Sequence, residues 1–119
     1  YAVIRLVPRV EREEFFNVGI ILFSKRAKYI KALYKVDEDK LNLFSSELDR
    51  ESLFANLHVF DKICSGTKEG GPIAALDIPE RFRWLTAVRS ASIQTSRPHP
   101  GFSDDLDRTL EILFRELVL

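Results

Sequence analysis

The stretch "FFNVGIILF" at residues 15–23 decides the fold, because it is the strongest strand pattern in the chain. Alternation along a strand sends successive side chains to opposite faces. One face then carries Val18, Ile20 and Leu22, and the other carries Asn17, Gly19, Ile21 and Phe23. Since both faces are largely apolar, we predict a central strand that is covered on both sides.

We predict one further strand before this stretch in the sequence and one after it. "AVIRLV" at 2–7 alternates around Arg5 and ends at Pro8, which closes the strand. "YIKALYKV" at 29–36 follows the basic turn "SKRAK" at 24–28, and the lysines on one of its faces would protect a sheet edge. The short connections between the three strands indicate antiparallel pairing.

The middle of the chain predicts helices around one irregular segment. Residues 37–48 begin with acidic side chains, which suits the start of a helix. Asp49 is a suitable N-cap for a second helix that runs to about Ser65. Residues 66–78 are rich in glycine and predict a long loop, after which Pro79 opens a short helix.

A fourth strand at 89–96 and a final helix complete the predicted elements. Ser103 is expected to cap the helix, with Asp104 and Asp105 in its first turn. Its apolar stripe comprises Leu106, Leu110, Leu113, Phe114, Leu117 and Val118. Together the elements predict one α+β domain over 1–119, with a mostly antiparallel sheet of about four strands and helices packed on one face.

Composition narrows the functional classes. The chain has 119 residues, 45% of them hydrophobic and 30% charged, and its formal net charge is zero. This balance argues against a dedicated nucleic-acid binder but leaves a local basic face open. The longest apolar run is too short to span a membrane, so no membrane partner is expected. The single Cys64 cannot form an internal disulfide and indicates a reducing compartment.

The usual catalytic and cofactor motifs are absent from the sequence. It contains no GxxxxGK[ST] or GxGxxG phosphate loop, no CxxC or HExxH metal motif, and no GxSxG nucleophile motif. One cysteine and two histidines are too few for a structural zinc site of the usual kind. We therefore expect neither a cofactor nor a metal.

One candidate site lies in "FRWLTAVRSASIQTSRPHPG" at 82–101, a stretch with no acidic residue. Arginines suit bidentate binding of phosphate or carboxylate, and a tryptophan can stack on a base. The polar and aromatic candidates are Arg83, Trp84, Arg89, Ser90, Gln94, Ser96 and His99. Alternatively, the arginines pair with acids of the final helix, Trp84 belongs to the core, and His99 is a solvent-facing turn residue.

The other candidate lies in "EEFFNVGIILF" at 13–23. Asn17 on an otherwise apolar strand, with Glu14 nearby, predicts a polar pocket, and Gly19 would allow a ligand or another backbone to approach. The alternative is that Asn17 bonds a neighbouring loop and Gly19 marks a β-bulge.

The two blocks "YAVIRLVPRVEREEFFNVGIILF" and "RFRWLTAVRSASIQTSRPHPG" together resemble a bacterial family known as domain of unknown function 3037. The terminal "DDLDRTLEILFREL" resembles the closing helix of that family. The resemblance singles out Arg5, Glu14, Asn17 and Gly19 in the first block, and Arg83, Trp84, Arg89, Ser90, Gln94, Ser96 and His99 in the second. It implies small bacterial cytoplasmic proteins. It also implies a protein partner, because members are often encoded beside kinases that resemble HipA-type toxins.

The leading hypothesis is a non-enzymatic binding or regulatory module that recognises an anionic ligand or a protein partner. Its site would be a groove where the 83–99 segment meets Glu14 and Asn17. The alternative is a hydrolase acting on nucleic acid or a nucleotide, in which Glu14, Arg89 and His99 converge on one cavity. A third hypothesis is an interaction protein, for example a homodimer, that uses an exposed apolar helix face or an edge strand.

Overall fold

The computed structural model of the protein describes residues 1–9, 14–37, 39, 50–87 and 93–119. The elements in chain order are β1 (Ala2–Arg9), β2 (Glu14–Ser24), β3 (Tyr29–Tyr34), α1 (Arg50–Ser65), α2 (Gly71–Ala74), α3 (Ile78–Leu85), β4 (Ile93–Thr95) and α4 (Leu106–Leu117). A 3-10 turn at Lys68–Gly70 lies between α1 and α2. The predicted helix at 37–48 and its neighbour Asp49 lie, apart from residues 37 and 39, outside the described residues.

The four strands form one sheet in the order β3-β2-β1-β4, and every pair of neighbours is antiparallel. The first strand of the chain is therefore central, and β3 and β4 are the two edges. This confirms the predicted α+β class, the antiparallel sheet of four strands and the edge position of the lysine-bearing strand.

A β-bulge interrupts the pairing of the two central strands. Ile4 pairs with Gly19 whereas Arg5 pairs with Asn17, so Val18 is an extra residue in β2. The bulge resets the alternation, and Val18 packs in the same core as Ile21 rather than with Ile20. The two-faced assignment made from simple alternation is thus wrong at Val18 and also at Asn17, which lies on the same face as Ile20 and contacts α4. The alternative reading, in which a bulge occurs at this point, is confirmed.

One face of the sheet carries the larger core, against α1 and α3. Buried side chains of the sheet, such as Ile4 and Ile21, pack with Leu57 and Phe60 of α1 and with Leu85 of α3. The helix ends are fixed by polar contacts. Gly66 terminates α1 in a left-handed conformation (φ 71°) and donates its N–H to the carbonyl of Ile63.

The other face of the sheet is covered by α4, so the expectation that the helices pack on one face needs a correction. Leu110 of α4 is buried with Val3, Ile20 and Leu22 of the central strands. The physical reason is that both faces of β2 are apolar, and an uncovered face would leave these side chains in water. The segment 96–105 carries the chain from the β4 edge across to this second face.

Two local predictions are also corrected. The segment 66–78 is not one irregular loop, because the 3-10 turn and α2 occupy part of it. Asp105, not Ser103, is the N-cap of α4, since its carboxylate accepts a hydrogen bond from the N–H of Arg108. None of the helices in the described part of the chain is long and apolar enough to cross a membrane.

Candidate functional site

Three polar residues lie side by side on adjacent strands, and we call them the polar row: Arg5, Asn17 and Gln94. Arg5 on the central strand β1 pairs with Asn17 of β2 on one side and with Gln94 of β4 on the other. Paired residues of antiparallel strands project to the same face, and the strand spacing places Asn17 and Gln94 about 10 Å apart. The polar row lies on the sheet face that α4 covers, where the C-terminal end of α4 meets Asn17.

Arg5 is the charged centre of this row. Its guanidinium carbon lies 4.2 Å from the centroid of the Phe15 ring, and its Nε is buried with no hydrogen-bond partner in the described part of the chain. Among the described residues Arg5 forms no ion pair. The Nε of Arg81 is also unpartnered, but the Nη1 of Arg81 donates to the carbonyls of Ile63 and Cys64. The guanidinium of Arg5 is therefore suited to accept an anion as its partner.

Asn17 fastens the last helix to the sheet. Its Nδ2 donates to the carbonyl of Leu117 at 2.9 Å, close to the C-terminus of α4. The alternative interpretation, in which Asn17 hydrogen-bonds a neighbouring segment, is therefore correct about the bond. It is wrong about the acceptor, which belongs to the end of a helix and not to a loop. The same amide stays beside Arg5, so a structural role and a place at the site coexist.

Ser96 is a structural residue of the β4 edge. Its Oγ accepts from the N–H of Val3 at 2.8 Å and donates to the carbonyl of Arg97 at 3.1 Å. Its side chain is buried, and the bond from Val3, together with a bond from the Ser96 N–H to the Val3 carbonyl at 2.8 Å, ties the end of β4 to β1.

Arg83 pairs within its own helix. Its Nη1 lies 2.8 Å from Oε1 of Glu80, and both side chains are largely exposed. Such an exposed pair at i,i+3 contributes little to stability. Arg83 is thus bound neither to the acids of α4 nor to the polar row.

Trp84 lies on the face of the sheet opposite the Asn17 amide, although Gln94 of the polar row also lines the groove beside Trp84. It lines a groove of about 280 Å³ with Phe60 of α1 and Ile93 of β4, and its side chain is partly exposed. The groove adjoins the end of α3, so Trp84 and the Asn17 amide are separated by the sheet.

His99 lies at the far end of the sheet. Its ring stacks on Tyr1 with the centroids 5.2 Å apart, and its backbone N–H donates to the Tyr1 carbonyl at 2.7 Å. Tyr1 and Arg5 are four residues apart along β1, which separates His99 from the polar row by about 13 Å. A cleft of about 870 Å³ opens beside His99.

The remaining predicted residues are only partly described. Arg89 and Ser90 lie outside the described residues, and Glu14 begins β2 without a described side chain. Of the predicted set, the structure places Asn17 and Gln94 on the two strands that flank Arg5, and Trp84 and Gln94 at one groove. Arg5, which joins them, was singled out only through the family resemblance, because its position in "AVIRLV" predicts nothing beyond one polar strand residue.

Titratable groups outside the row form a second cluster on β3 and α1. The hydroxyl of Tyr34 donates to Oδ2 of Asp61 at 2.8 Å and lies 3.3 Å from Nδ1 of His58. Desolvation and the bond to Asp61 raise the pKa of Tyr34 to about 12. Burial likewise raises the pKa of the Cys64 thiol to about 12, so it is a poor nucleophile at neutral pH. No group of three or more metal-ligating side chains is found among the residues that the structure describes.

Comparison with known proteins gives the family but no activity. No curated protein and no solved structure matches the chain. A family model, described as protein of unknown function, matches residues 1–118. The match extends over the whole sheet, the polar row and α4, and the chain therefore belongs to the DUF3037 family.

Proposed function

We propose that this protein is a non-enzymatic binding module that recognises an anionic group at Arg5, in the centre of the polar row. The observation that carries the proposal is the buried Nε of Arg5, which has no hydrogen-bond partner among the residues that the structure describes. The 83–99 segment contributes to the site through Gln94 on β4.

The unpartnered Nε favours a ligand because a buried donor without an acceptor lowers the stability of the protein. A buried donor that lacks an acceptor costs about 1–3 kcal/mol, and more when the group is charged. The contact with the Phe15 ring offsets part of this, at about 0.5–1 kcal/mol for a partly exposed pair. A carboxylate or phosphate on the guanidinium would supply the acceptor that the described residues do not.

The neighbours of Arg5 define the rest of the site. Asn17 and Gln94 pair with Arg5 from the strands on either side of it, at the spacing of adjacent strands. Phe15 is 49% exposed and offers an apolar surface next to the charge. The geometry therefore favours an anion attached to an apolar body. The protein partner that the family resemblance implies would meet the same site through a carboxylate or a phosphorylated side chain.

The Nε–H of Arg5 allows a direct test. In ¹H–¹⁵N spectra at constant ionic strength, titration with orthophosphate, pyrophosphate and citrate should shift the Arg5 Nε–H signal and the amides of residues 15–17 and 93–95. Arg5→Gln should abolish these shifts. Arg5→Lys, which keeps the charge but loses the planar fork, should weaken binding by about tenfold or more.

Arg83→Ala is the matched control, because Arg83 is an exposed arginine on a helix away from the row. It should bind as the wild type does. Thermal melts of each variant show whether it is folded. Retention of the shifts in folded Arg5→Gln, or their absence with every anion in the wild type, would contradict the proposal.

The alternative hydrolase has no specific observation in its favour. It requires Glu14, Arg89 and His99 to converge, and only His99 of the three has a described side chain.

A further inference from the structure

A second binding site is indicated at the end of the sheet, which we call the end cleft. It has a volume of about 870 Å³ and lies where β1 begins and β2 ends, beside the segment 98–103. Pockets for small molecules have volumes of about 300–1,000 Å³. The end cleft therefore has the size of a site for a drug-sized or nucleotide-sized ligand.

The walls of the end cleft are largely aromatic and apolar. The Tyr1 and His99 rings stack at one wall with an interplanar angle of 29°. The Phe23 and Phe82 rings stack at another, with their centroids 4.7 Å apart. Leu106 and Leu113 of α4 add aliphatic surface. Phe82 is 9% exposed and belongs to the core, so the outer faces of the Tyr1 and His99 rings are the ones that a planar ligand can contact.

The rim next to the β2–β3 turn is basic. Arg26 lines the end cleft, and Lys25 and Lys28 flank it in the exposed turn at 24–28, which contains no acid. None of these three cations forms an ion pair within the described part of the chain. Of the acids that follow the other rim in sequence, Asp104, Asp105 and Asp107, two are engaged: Asp105 caps α4, and Asp107 accepts a hydrogen bond from the Tyr29 hydroxyl and lies 3.7 Å from Lys31. The charge at the turn favours an anionic group.

Phe102 completes the site as an exposed ring at its rim. Its side chain is fully exposed to solvent, in a segment that begins Pro98-His99-Pro100-Gly101. Burial of a phenyl ring is stabilising, and Phe102 forgoes this stabilisation in the present arrangement. The ring can recover this stabilisation by closing on a planar ligand.

We infer that the end cleft binds a planar aromatic anion of the size of a nucleoside monophosphate. The aromatic part would lie against the stacked rings and Phe102, and the anionic group would lie at Arg26. This inference is independent of the polar row, because about 13 Å of β1 separates the two sites.

The experiment is a titration of the folded protein with AMP, adenosine and orthophosphate, followed by ¹H–¹⁵N spectra and calorimetry. AMP should shift the amides of residues 24–28 and 98–103, and should bind more tightly than either of its parts. Phe102→Ala removes a fully exposed ring and should leave the melting temperature unchanged, yet weaken AMP about tenfold. Arg26→Ala should weaken AMP about tenfold or more but leave adenosine unaffected.

Arg83→Ala serves as the control and should bind AMP as the wild type does. Because the polar row is itself proposed to take phosphate, the titration is repeated with Arg5→Gln, in which AMP should still shift the amides of residues 24–28 and 98–103, so the two proposals fail separately. The inference is overturned if AMP causes no shift of these amides, or if orthophosphate shifts them at as low a concentration as AMP does. Unchanged AMP binding by Phe102→Ala and Arg26→Ala would also overturn it.

Discussion

The side-chain Nδ2 of Asn17 donates a hydrogen bond to the carbonyl of Leu117, a residue 100 positions later in the chain. The bond joins the middle of β2 to the C-terminal end of α4 and so holds the helix on its face of the sheet. It also places a donor where a helix has its partial negative charge.

Removal of this donor should be unfavourable. Asn17→Ala loses the bond without adding a charge beside Arg5, so we expect a loss of about 1–2 kcal/mol in the free energy of unfolding. Asn56→Ala is the matched control, since Asn56 is exposed on α1 and its change should stay within about 0.5 kcal/mol. Urea denaturation measures both. Equal effects of the two substitutions would contradict the role of the bond.

The second core depends on Leu110. It is the most buried residue of α4, 1% exposed, so Leu110→Ala should destabilise the protein by about 2–5 kcal/mol. Ile112 in the same helix is 41% exposed, and Ile112→Ala should cost far less. The comparison of the two denaturation midpoints checks that α4 covers a sheet face. Similar losses would indicate that the helix does not pack as described.

Gly19 lies at the bulge where no side chain fits. A Cβ there would meet the Leu33 carbonyl oxygen at 2.6 Å and the Tyr34 Cβ at 2.9 Å, and the first of these atoms belongs to the backbone. Gly19→Ala should therefore cost about 1–3 kcal/mol in unfolding free energy. Gly101→Ala, at a position with nothing within 4 Å, is the control and should be close to neutral. A neutral Gly19→Ala would show that the two strands can separate at little cost.

Alkaline pH should lower the free energy of unfolding, in part through the ionisation of Tyr34. Desolvation and the bond to Asp61 raise its pKa from 10.0 to about 12, so the folded state favours the neutral phenol. The resulting stability is fully present below pH 10, the unfolded value, and is lost as the pH rises through that value towards about 12.

Tyr34→Phe isolates this effect, because Tyr29 and Cys64 also have raised pKa values and titrate in both proteins. The fall in unfolding free energy between about pH 9 and pH 11 should be smaller for the variant than for the wild type. Urea denaturation at a series of pH values gives the two slopes. Identical slopes would mean that the Tyr34 pKa is the same folded and unfolded.

Local patterns predicted most elements of the fold. The strands at 2–7 and 15–23 and the helix ending at Ser65 lie close to β1, β2 and α1, because alternation and helical stripes record which side chains are buried. The apolar stripe of α4 could also be recognised in the sequence. Such a stripe shows that a helix packs against other elements, but it does not specify which face of a sheet the helix covers. The apolar character of both faces of "FFNVGIILF" was the better guide.

The polar row could not be predicted from the same local sequence patterns. Its members come from three strands, and only the register between β1 and β4 brings Gln94 beside Arg5. A bulge at Val18 shifts the other pairing by one residue, and neither feature follows from local periodicity. By contrast, the Glu80–Arg83 pair could have been found from its i,i+3 spacing.

The order β3-β2-β1-β4 has a consequence for synthesis on the ribosome. β1 emerges first and can pair with β2 at once, but its second edge waits for Thr95, the partner of Ile4. Until then the nascent chain exposes an unpaired strand edge of apolar residues, which is a template for association with other chains. Translation that stops before residue 93 should therefore yield an aggregation-prone fragment rather than a smaller folded protein.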